Sequence, residues 1–213
     1  MDIALFGIQG SGKGTIARAV CAKYGFHYFE TGGELRKLAS QDSELAQKVK
    51  AVMESGSLVS NEIVMEIIED FMNSLPDDKP IVFDGIPRKP VQATTFDALM
   101  EKKDRDFMGI LVEVPEDMAM ERLTKRRVCS KCKSVYPADY KEEACEKCGG
   151  ELVTRSDDNP ESIKTRFHAY FDETYPVIEK YKSEDKLITI DGTPDIETVR
   201  DNVFTLLEEK ELV

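Results

Sequence analysis

The sequence predicts an α/β protein built on a parallel sheet of five strands with helices on both faces. Short apolar runs bounded by turn residues recur along the chain, and amphipathic helical patterns separate them. This alternation favours a parallel sheet, since consecutive parallel strands need a crossover helix between them. The apolar content of 41% and the charged content of 33% are typical of a globular chain, and 213 residues suffice for one large core. The predicted strands are residues 3–6, 26–29, 81–84, 109–114 and 187–190.

Charge and hydropathy exclude several functional classes. The net charge of −12 argues against the broad basic surface that nonspecific nucleic-acid binding requires. The sequence contains no apolar run of about eighteen residues, and it does not begin with the charged and then apolar segments of a secretory signal peptide. We therefore expect a cytoplasmic protein that does not insert into a membrane. Five cysteines in such a chain point to metal binding rather than to a disulfide framework.

A glycine-rich segment directly follows the first predicted strand and precedes a helical pattern. Residues 7–15 read GIQGSGKGT and fit the spacing G-x-x-x-x-G-K, with Gly7, Gly12 and Lys13 in register. The backbone N–H groups of such a loop, the dipole of the following helix and the lysine charge together bind a polyphosphate. A turn that only joins a strand to a helix is the alternative. The candidate residues of this phosphate loop, or P-loop, are Gly10, Ser11, Gly12, Lys13, Gly14 and Thr15.

Two oxygen-bearing side chains are candidates for holding magnesium. Thr15 ends the phosphate loop with a hydroxyl group. Asp84 ends the third predicted strand, at the carboxyl edge where open parallel sheets bind their ligands. We expect Thr15 to contact the ion and Asp84 to hold it through water. An aspartate that only caps the following turn is the alternative for Asp84.

Two C-x-x-C pairs lie twelve residues apart in the second half of the chain. Cys129, Cys132, Cys145 and Cys148 can close a tetrahedral shell, and this spacing favours structural zinc over a redox pair. The segment between the pairs is short and polar, so metal binding must supply its folding free energy. A zinc ribbon that binds nucleic acid is a further alternative, and the acidic net charge argues against it.

Several segments together resemble the adenylate kinase family across essentially the whole chain. They are GKGT at residues 12–15, TGGELR at 31–36, GSLV at 56–59, DGIPR at 84–88 and the zinc-bearing lid. The resemblance implies transfer of the terminal phosphoryl group of Mg-ATP to AMP, giving two ADP. Another nucleoside monophosphate kinase and a P-loop regulatory ATPase are the alternatives. Gly33 and Ile86 depart from the family pattern, which has an acidic residue and an aromatic residue at these positions.

The same resemblance implies roles for individual residues. Thr31 points to AMP as acceptor, because uridylate and cytidylate kinases usually carry alanine there, and it also stands where it can cap a helix. Arg122 and Arg126 are four residues apart, so we expect them on one side of a helix. The implied ATP-binding residues beyond the phosphate loop are Arg122, Arg126, Val135, Tyr136 and Pro194. The implied AMP-binding residues are Thr31, Arg36, Ser57, Leu58, Val59, Gly85, Ile86, Pro87, Arg88, Gln92, Arg155 and Arg166. The implied catalytic residues are Lys13, Asp84, Arg88, Arg126, Arg155 and Arg166.

The resemblance also divides the chain into three parts. Residues 30–59 form an AMP-binding insertion and residues 128–159 a zinc-binding lid, both closing over the substrates. Asp157 and Asp158 can pair with the arginines of the lid region. Family analogy implies a monomer whose partners are ATP, AMP and ADP, with no nucleic acid. The nucleotide-binding core comprises residues 1–29, 60–127 and 160–213.

Overall fold

The structure, a computed structural model, describes residues 1–136 and 140–213. Residues 137–139, which belong to the predicted lid, lie outside this description. The strands are β1 (Asp2–Phe6), β2 (His27–Glu30), β3 (Ile81–Asp84), β4 (Phe107–Glu113), β5 (Arg127–Cys129), β6 (Val135–Tyr136), β7 (Leu152–Val153) and β8 (Leu187–Asp191). Five of them form one parallel sheet in the order β2-β3-β1-β4-β8, which confirms the predicted fold class.

Helices connect these strands and cover both faces of the sheet. The helices are α1 (Lys13–Tyr24), α2 (Thr31–Ala39), α3 (Glu44–Glu54), α4 (Asn61–Ser74), α5 (Pro90–Lys102), α6 (Glu116–Thr124), α7 (Pro160–Ala169), α8 (Tyr175–Ser183) and α9 (Ile196–Glu209). A π-helical segment, Tyr170–Thr174, joins α7 to α8. Within residues 1–136 and 140–213, no helix combines the length and the apolar character needed to cross a membrane.

The first face of the sheet packs against α1 and α9. Successive side chains of β1 alternate between the two faces, as the pleat of a strand requires. Ile3 and Leu5 point to the first face, where they join a buried cluster with apolar residues of α1 and α9. Ala4 and Phe6 belong to the larger cluster on the second face. Every residue of β1 is buried, so the strand lies at the centre of the core.

Aromatic rings tie the second face together. Phe83 of β3 packs edge to face on Phe96 of α5, with ring centroids 5.1 Å apart. Phe96 contacts Phe107 of β4 at 5.1 Å, and Phe107 contacts Tyr181 of α8 at 5.3 Å. Edge-to-face geometry of this kind stabilises a core beyond the area it buries. The sheet and its outer helices therefore form a rigid base for the loops at the carboxyl edge.

A second, small sheet lies between α6 and α7. Its strands are antiparallel in the order β6-β5-β7. One buried cluster of this unit contains Cys129, Tyr136 and Cys145, with Tyr140 and Leu152 packed against them. This apolar cluster is too small to support an independent fold by burial alone, which agrees with the predicted need for a metal.

One expectation about this region is wrong. Arg122 lies in α6, but α6 ends at Thr124 and Lys125 is its C-terminal cap residue. Arg126 therefore follows the helix and precedes β5, instead of sharing one helix side with Arg122. The pairing of β5 with β6 and β7 requires extended backbone from Arg127 onward, and this tertiary pairing ends the helix early.

Candidate functional site

The phosphate loop connects β1 to α1 through backbone conformations that only glycine adopts easily. Gly7 has φ 139°, and a Cβ atom there would lie 2.4 Å from the carbonyl oxygen of Val112. A Cβ atom on Gly10, at φ 92°, would lie 2.6 Å from the carbonyl oxygen of Ala119. Gly12 takes φ 97° as the cap residue of α1. The loop thus combines left-handed turns with close packing, and it directs the N-terminus of α1 toward the carboxyl edge of the sheet.

Lys13, at the first position of α1, is folded back over the phosphate loop. Its Nζ donates to the carbonyl oxygens of Gly7 at 2.6 Å and Ile8 at 2.9 Å, and lies 3.3 Å from the hydroxyl of Ser11. The pKa of Lys13 is lowered to about 8, chiefly by burial; Asp84 opposes this lowering, and Arg88 and Arg126 add to it. The ammonium group is held where a polyphosphate in the loop would meet it.

Asp84 ends β3 beside the phosphate loop. Its carboxylate is buried and accepts a hydrogen bond from the hydroxyl of Tyr28 at 3.0 Å. Burial raises the pKa of Asp84 and the charge of Glu30 adds to this effect, while Lys13 lowers the pKa. Thr15 is exposed at the start of α1, and Thr15 and Asp84 line the same cavity. A hydroxyl and a carboxylate are hard oxygen donors, so this pair fits magnesium.

The candidate residues converge on one cavity of about 590 Å³ at the carboxyl edge of the main sheet. β1 and β3 are neighbours in the sheet. The connection after β1 leads to β2 at one edge of the sheet, whereas the connection after β3 leads the other way, to β4. Because the two connections run in opposite directions, a crevice for a ligand opens between them. Ser11, Ile86 and Pro87 are buried and are not among the lining residues. The predicted nucleotide-site residues that do line it are Gly10, Gly12, Lys13, Gly14, Thr15, Thr31, Arg36, Ser57, Leu58, Val59, Asp84, Gly85, Arg88, Gln92, Arg122, Arg126, Val135, Tyr136, Arg155, Arg166 and Pro194.

Three arginines of the cavity are paired with two aspartates. Arg126 makes a two-point contact with Asp158, at 2.9 and 2.6 Å, and Arg166 donates to the same carboxylate at 2.8 Å. Arg155 contacts Asp157 at 3.1 and 3.2 Å. The Asp158 side chain is 0% exposed, so the guanidinium groups provide its solvation. The expected pairing of the lid-region arginines with these aspartates is present, and Arg126 joins it.

Two further arginines contact backbone carbonyl groups instead. Arg88 donates from Nε to the carbonyl oxygen of Gly85 at 2.7 Å, and Arg122 donates from Nη1 to that of Gly192 at 3.1 Å. Among the described residues, neither these two nor Lys13 has a carboxylate oxygen within 4.0 Å. Their positive charge is therefore free to act on an anionic ligand in the cavity.

Thr31 and Gln92 are polar residues that line the same cavity as the phosphate loop. α2 begins at Thr31 with Glu30 as its cap residue, and no side chain caps this helix, so the expected capping role of Thr31 is wrong. The Thr31 hydroxyl is buried and has no hydrogen-bond partner in the described part of the chain. Gln92 is buried, and its Oε1 accepts from the backbone N–H of Arg88 at 2.8 Å. A buried hydroxyl without a partner is costly, which favours a ligand that completes it.

Sequence reasoning missed three residues beside this site. Glu30 lines the cavity and contacts Arg36 at 2.5 Å, while Arg18 lies 3.9 Å from the other carboxylate oxygen of Glu30. Tyr28 bonds to Asp84 and lies 3.4 Å from Glu30. One signal was available, because Glu30 directly follows an apolar run and ends its strand as Asp84 does. Their proximity depends on the pairing of β2 with β3, which local sequence does not encode.

The four cysteines meet at one point in the small sheet. Their sulfur atoms all lie within 4.8 Å of one another, and three of the separations are 3.4, 3.4 and 3.6 Å. A tetrahedral zinc ion with bonds of about 2.3 Å needs sulfur atoms about 3.8 Å apart, so the cluster fits zinc. The hydroxyl of Tyr136 lies 3.0 Å from the Sγ of Cys145 and can donate to it. Because Tyr136 also lines the cavity, it connects the cysteine cluster to the cavity.

Comparison with known proteins agrees with this geometry. The sequence model of the family described as Adenylate kinase matches residues 5–186. A protein named adenylate kinase from Kosmotoga olearia is 35% identical over 213 residues, covering 98% of this chain and 99% of the relative. Adenylate kinases from Archaeoglobus fulgidus and Alkaliphilus oremlandii are 35% and 37% identical, covering 98% and 97% of this chain and 99% and 98% of those proteins. The chain therefore belongs to the adenylate kinase family of nucleotide-binding phosphotransferases.

Proposed function

We propose that this protein transfers the terminal phosphoryl group of Mg-ATP to AMP and so forms two molecules of ADP. The observation that carries the proposal is that one cavity is lined by the phosphate loop, by several arginines and by Thr31, whose buried hydroxyl has no hydrogen-bond partner among the described residues. Such a cavity suits two nucleotides whose phosphates meet in the middle. The curated relatives that the chain matches over nearly its full length bear the name adenylate kinase.

In the proposed reaction, a phosphate oxygen of AMP forms a bond to the γ-phosphorus of ATP as the bond to the departing ADP breaks. Phosphoryl transfer of this kind demands positioning and charge neutralisation more than covalent chemistry from the protein. Magnesium would be held by Thr15 and, through water, by Asp84, and it would neutralise charge on the ATP phosphates. The protein cations that would stabilise the transferring group are Lys13, Arg88, Arg126, Arg155 and Arg166.

The proposed donor site is the phosphate loop together with Arg122, Arg126, Val135, Tyr136 and Pro194. The proposed acceptor site begins at Thr31 and Gln92, whose polar atoms would hydrogen-bond the adenine edge of AMP. Arg36 and Arg88 would bind the acceptor phosphate. A base that lacks the matching groups would leave the buried polar atoms unpaired, so UMP and CMP should be poor acceptors.

We further propose that two parts of the chain close over the substrates. Residues 30–59 would close on AMP, and residues 128–159, the zinc-binding lid, would close on ATP. Closure would exclude water and so prevent simple hydrolysis of ATP. The zinc would be structural, since four cysteine sulfurs fill a tetrahedral shell and leave no open position for a substrate. The cytoplasmic location and the monomeric state remain predictions from the sequence.

A coupled assay of ADP formation tests the proposal. With Mg²⁺, ATP and AMP, two ADP should appear for each ATP consumed, and omission of AMP should nearly abolish the reaction. A regulatory ATPase would instead form one ADP per ATP without any acceptor. In the same assay, turnover of UMP or CMP equal to that of AMP would contradict the acceptor assignment and favour another nucleoside monophosphate kinase.

A further inference from the structure

The carboxylate beside the acceptor end of the cavity comes from Glu30 and not from residue 33. Gly33 has no side chain, and a Cβ atom placed on it would lie 3.4 Å from Cδ and 3.5 Å from Oε2 of Glu30. The Glu30 side chain therefore lies within van der Waals contact of the position where a side chain at residue 33 would begin. Glu30 is the last residue of β2 and the cap residue of α2, so its backbone is fixed by both elements.

The surroundings of Glu30 keep it charged. Burial by itself would raise the pKa of Glu30, but the guanidinium groups of Arg36, Arg155 and Arg18 outweigh this and lower it. The shortest of these contacts joins Nη2 of Arg36 to Oε1 of Glu30 at 2.5 Å. Both side chains are partly exposed, at 39% and 32%, so they are able to separate when a competing anion arrives.

Glu30 also faces the magnesium side of the site. Its Cα is the register partner of Asp84 across the β2–β3 pair, so the two acidic residues end adjacent parallel strands at the same level. The Tyr28 hydroxyl lies 3.0 Å from Asp84 and 3.4 Å from Glu30. It has one proton, which the shorter contact assigns to Asp84. Tyr28 therefore leaves Glu30 to be neutralised chiefly by arginine.

We propose that Glu30 is an internal anion that forms an ion pair with Arg36 in the free protein, and that the acceptor phosphate replaces Glu30 as the partner of Arg36 when it binds. This inference rests on the proposed function, in which Arg36 binds the phosphate of AMP. Glu30 is then a positioning residue that acts through Arg36, because the acceptor phosphate must displace Glu30 from Arg36 in order to bind. The ion pair would keep Arg36 neutralised and ordered before the substrate arrives. Because AMP must break this pair, the protein would bind AMP less tightly than a protein without the Glu30 charge.

Isothermal titration calorimetry of the zinc-loaded protein with AMP alone tests the proposed role of Glu30, because no turnover can occur without a phosphoryl donor. Glu30→Gln keeps the shape and a hydrogen-bond acceptor but removes the charge. Its Kd for AMP should fall on the order of tenfold, the size expected for unit charges at this depth after solvent screening. Glu30→Asp keeps the charge and should bind AMP more like the parent. In steady-state assays the KM for AMP should fall while the KM for ATP stays near the parent's value.

Glu34→Gln is the matched control. Glu34 lies in the first turn of the same helix and pairs with the exposed Lys37 at 2.6 Å, but it does not line the cavity, so its AMP affinity should equal the parent's. In an Arg36→Ala background the effect of Glu30→Gln should shrink, and an undiminished effect would overturn the role assigned to Arg36. If circular dichroism shows that Glu30→Gln is unfolded, Glu30→Ser replaces it. This variant removes the same charge and should show the same fall in the Kd for AMP.

Two outcomes separate this inference from the proposed function. If the parent binds and turns over AMP but Glu30→Gln binds it equally or more weakly, the inference about Glu30 is wrong and the function stands. If the parent neither binds AMP nor uses it as acceptor, the proposed function fails and the inference fails with it.

Discussion

Replacing Asp158 by asparagine should lower the free energy of unfolding of the nucleotide-free protein by about 3–5 kcal/mol. The Asp158 side chain is fully buried and neutralises both Arg126 and Arg166, at distances of 2.6 and 2.8 Å. Asparagine keeps the shape but removes the carboxylate charge that neutralises Arg126, and it leaves Arg166 with only its longer contact to Asp157, at 3.3 Å. For 213 residues the entropy of unfolding is about 0.45 kcal/mol/K, so this loss corresponds to a fall in Tm of about 7–11 °C.

Calorimetric melting of zinc-loaded protein measures this effect. Asp201→Asn is the control, because Asp201 pairs with Arg200 at 2.8 Å on the surface with 62% of its side chain exposed, and this variant should melt close to the parent. Saturating ADP should narrow the gap between Asp158→Asn and the parent, since the phosphates bring negative charge to the same arginines. An Asp158→Asn variant that melts like the parent without nucleotide would refute the reasoning.

Two further predictions concern the phosphate loop and the metal. Lys13→Met should reduce the transfer rate by about 10²–10³ with the fold intact by circular dichroism, because one preorganised charge is lost. The pKa of Lys13 is lowered to about 8, so about half of the free protein carries an uncharged Lys13 at pH 8. Because phosphates favour the charged form, binding of Mg-ATP should take up roughly half a proton at about pH 8 and almost none near pH 6. Titration in buffers of different ionisation enthalpy detects this uptake, and its absence in the parent would contradict the assignment. For the metal, elemental analysis should find about one zinc per chain. The Cys129→Ser substitution should lower the Tm and the order of the lid, and it should change the affinity of the phosphate loop for ATP much less. A metal-free protein, or a variant without all four cysteines that melts and turns over like the parent, would show that the cluster is not a structural zinc site.

The parts of the site that the sequence predicted are those encoded over short distances. Glycines at fixed spacing around Lys13 define the phosphate loop, because left-handed backbone and close approach restrict those positions to glycine. Asp84 was predictable because it follows a continuous apolar run and must emerge at the carboxyl edge. The cysteine pairs were predictable because two C-x-x-C turns are a local signature of zinc.

The parts that were not predicted depend on tertiary pairing. Helical periodicity placed Arg126 on the same helix as Arg122, but pairing of the small sheet ends that helix first, and no glycine or proline marks the boundary. Thr31 has the chemistry of a cap residue, yet Glu30 takes the cap position, and the hydroxyl of Thr31 is buried at a residue that lines the cavity. The contact between Glu30 and Arg36 is likewise set by how β2 meets α2 and β3.

The central claim is that the cavity passes a phosphoryl group between two nucleotides. A single turnover with ATP labelled in its terminal phosphate, in the presence of Mg²⁺ and AMP, tests this claim most directly. The proposed function predicts that the label appears in ADP, at the phosphorus added to AMP, and that little is released as inorganic phosphate. Release of the label as inorganic phosphate, at the same rate with and without AMP, would contradict it.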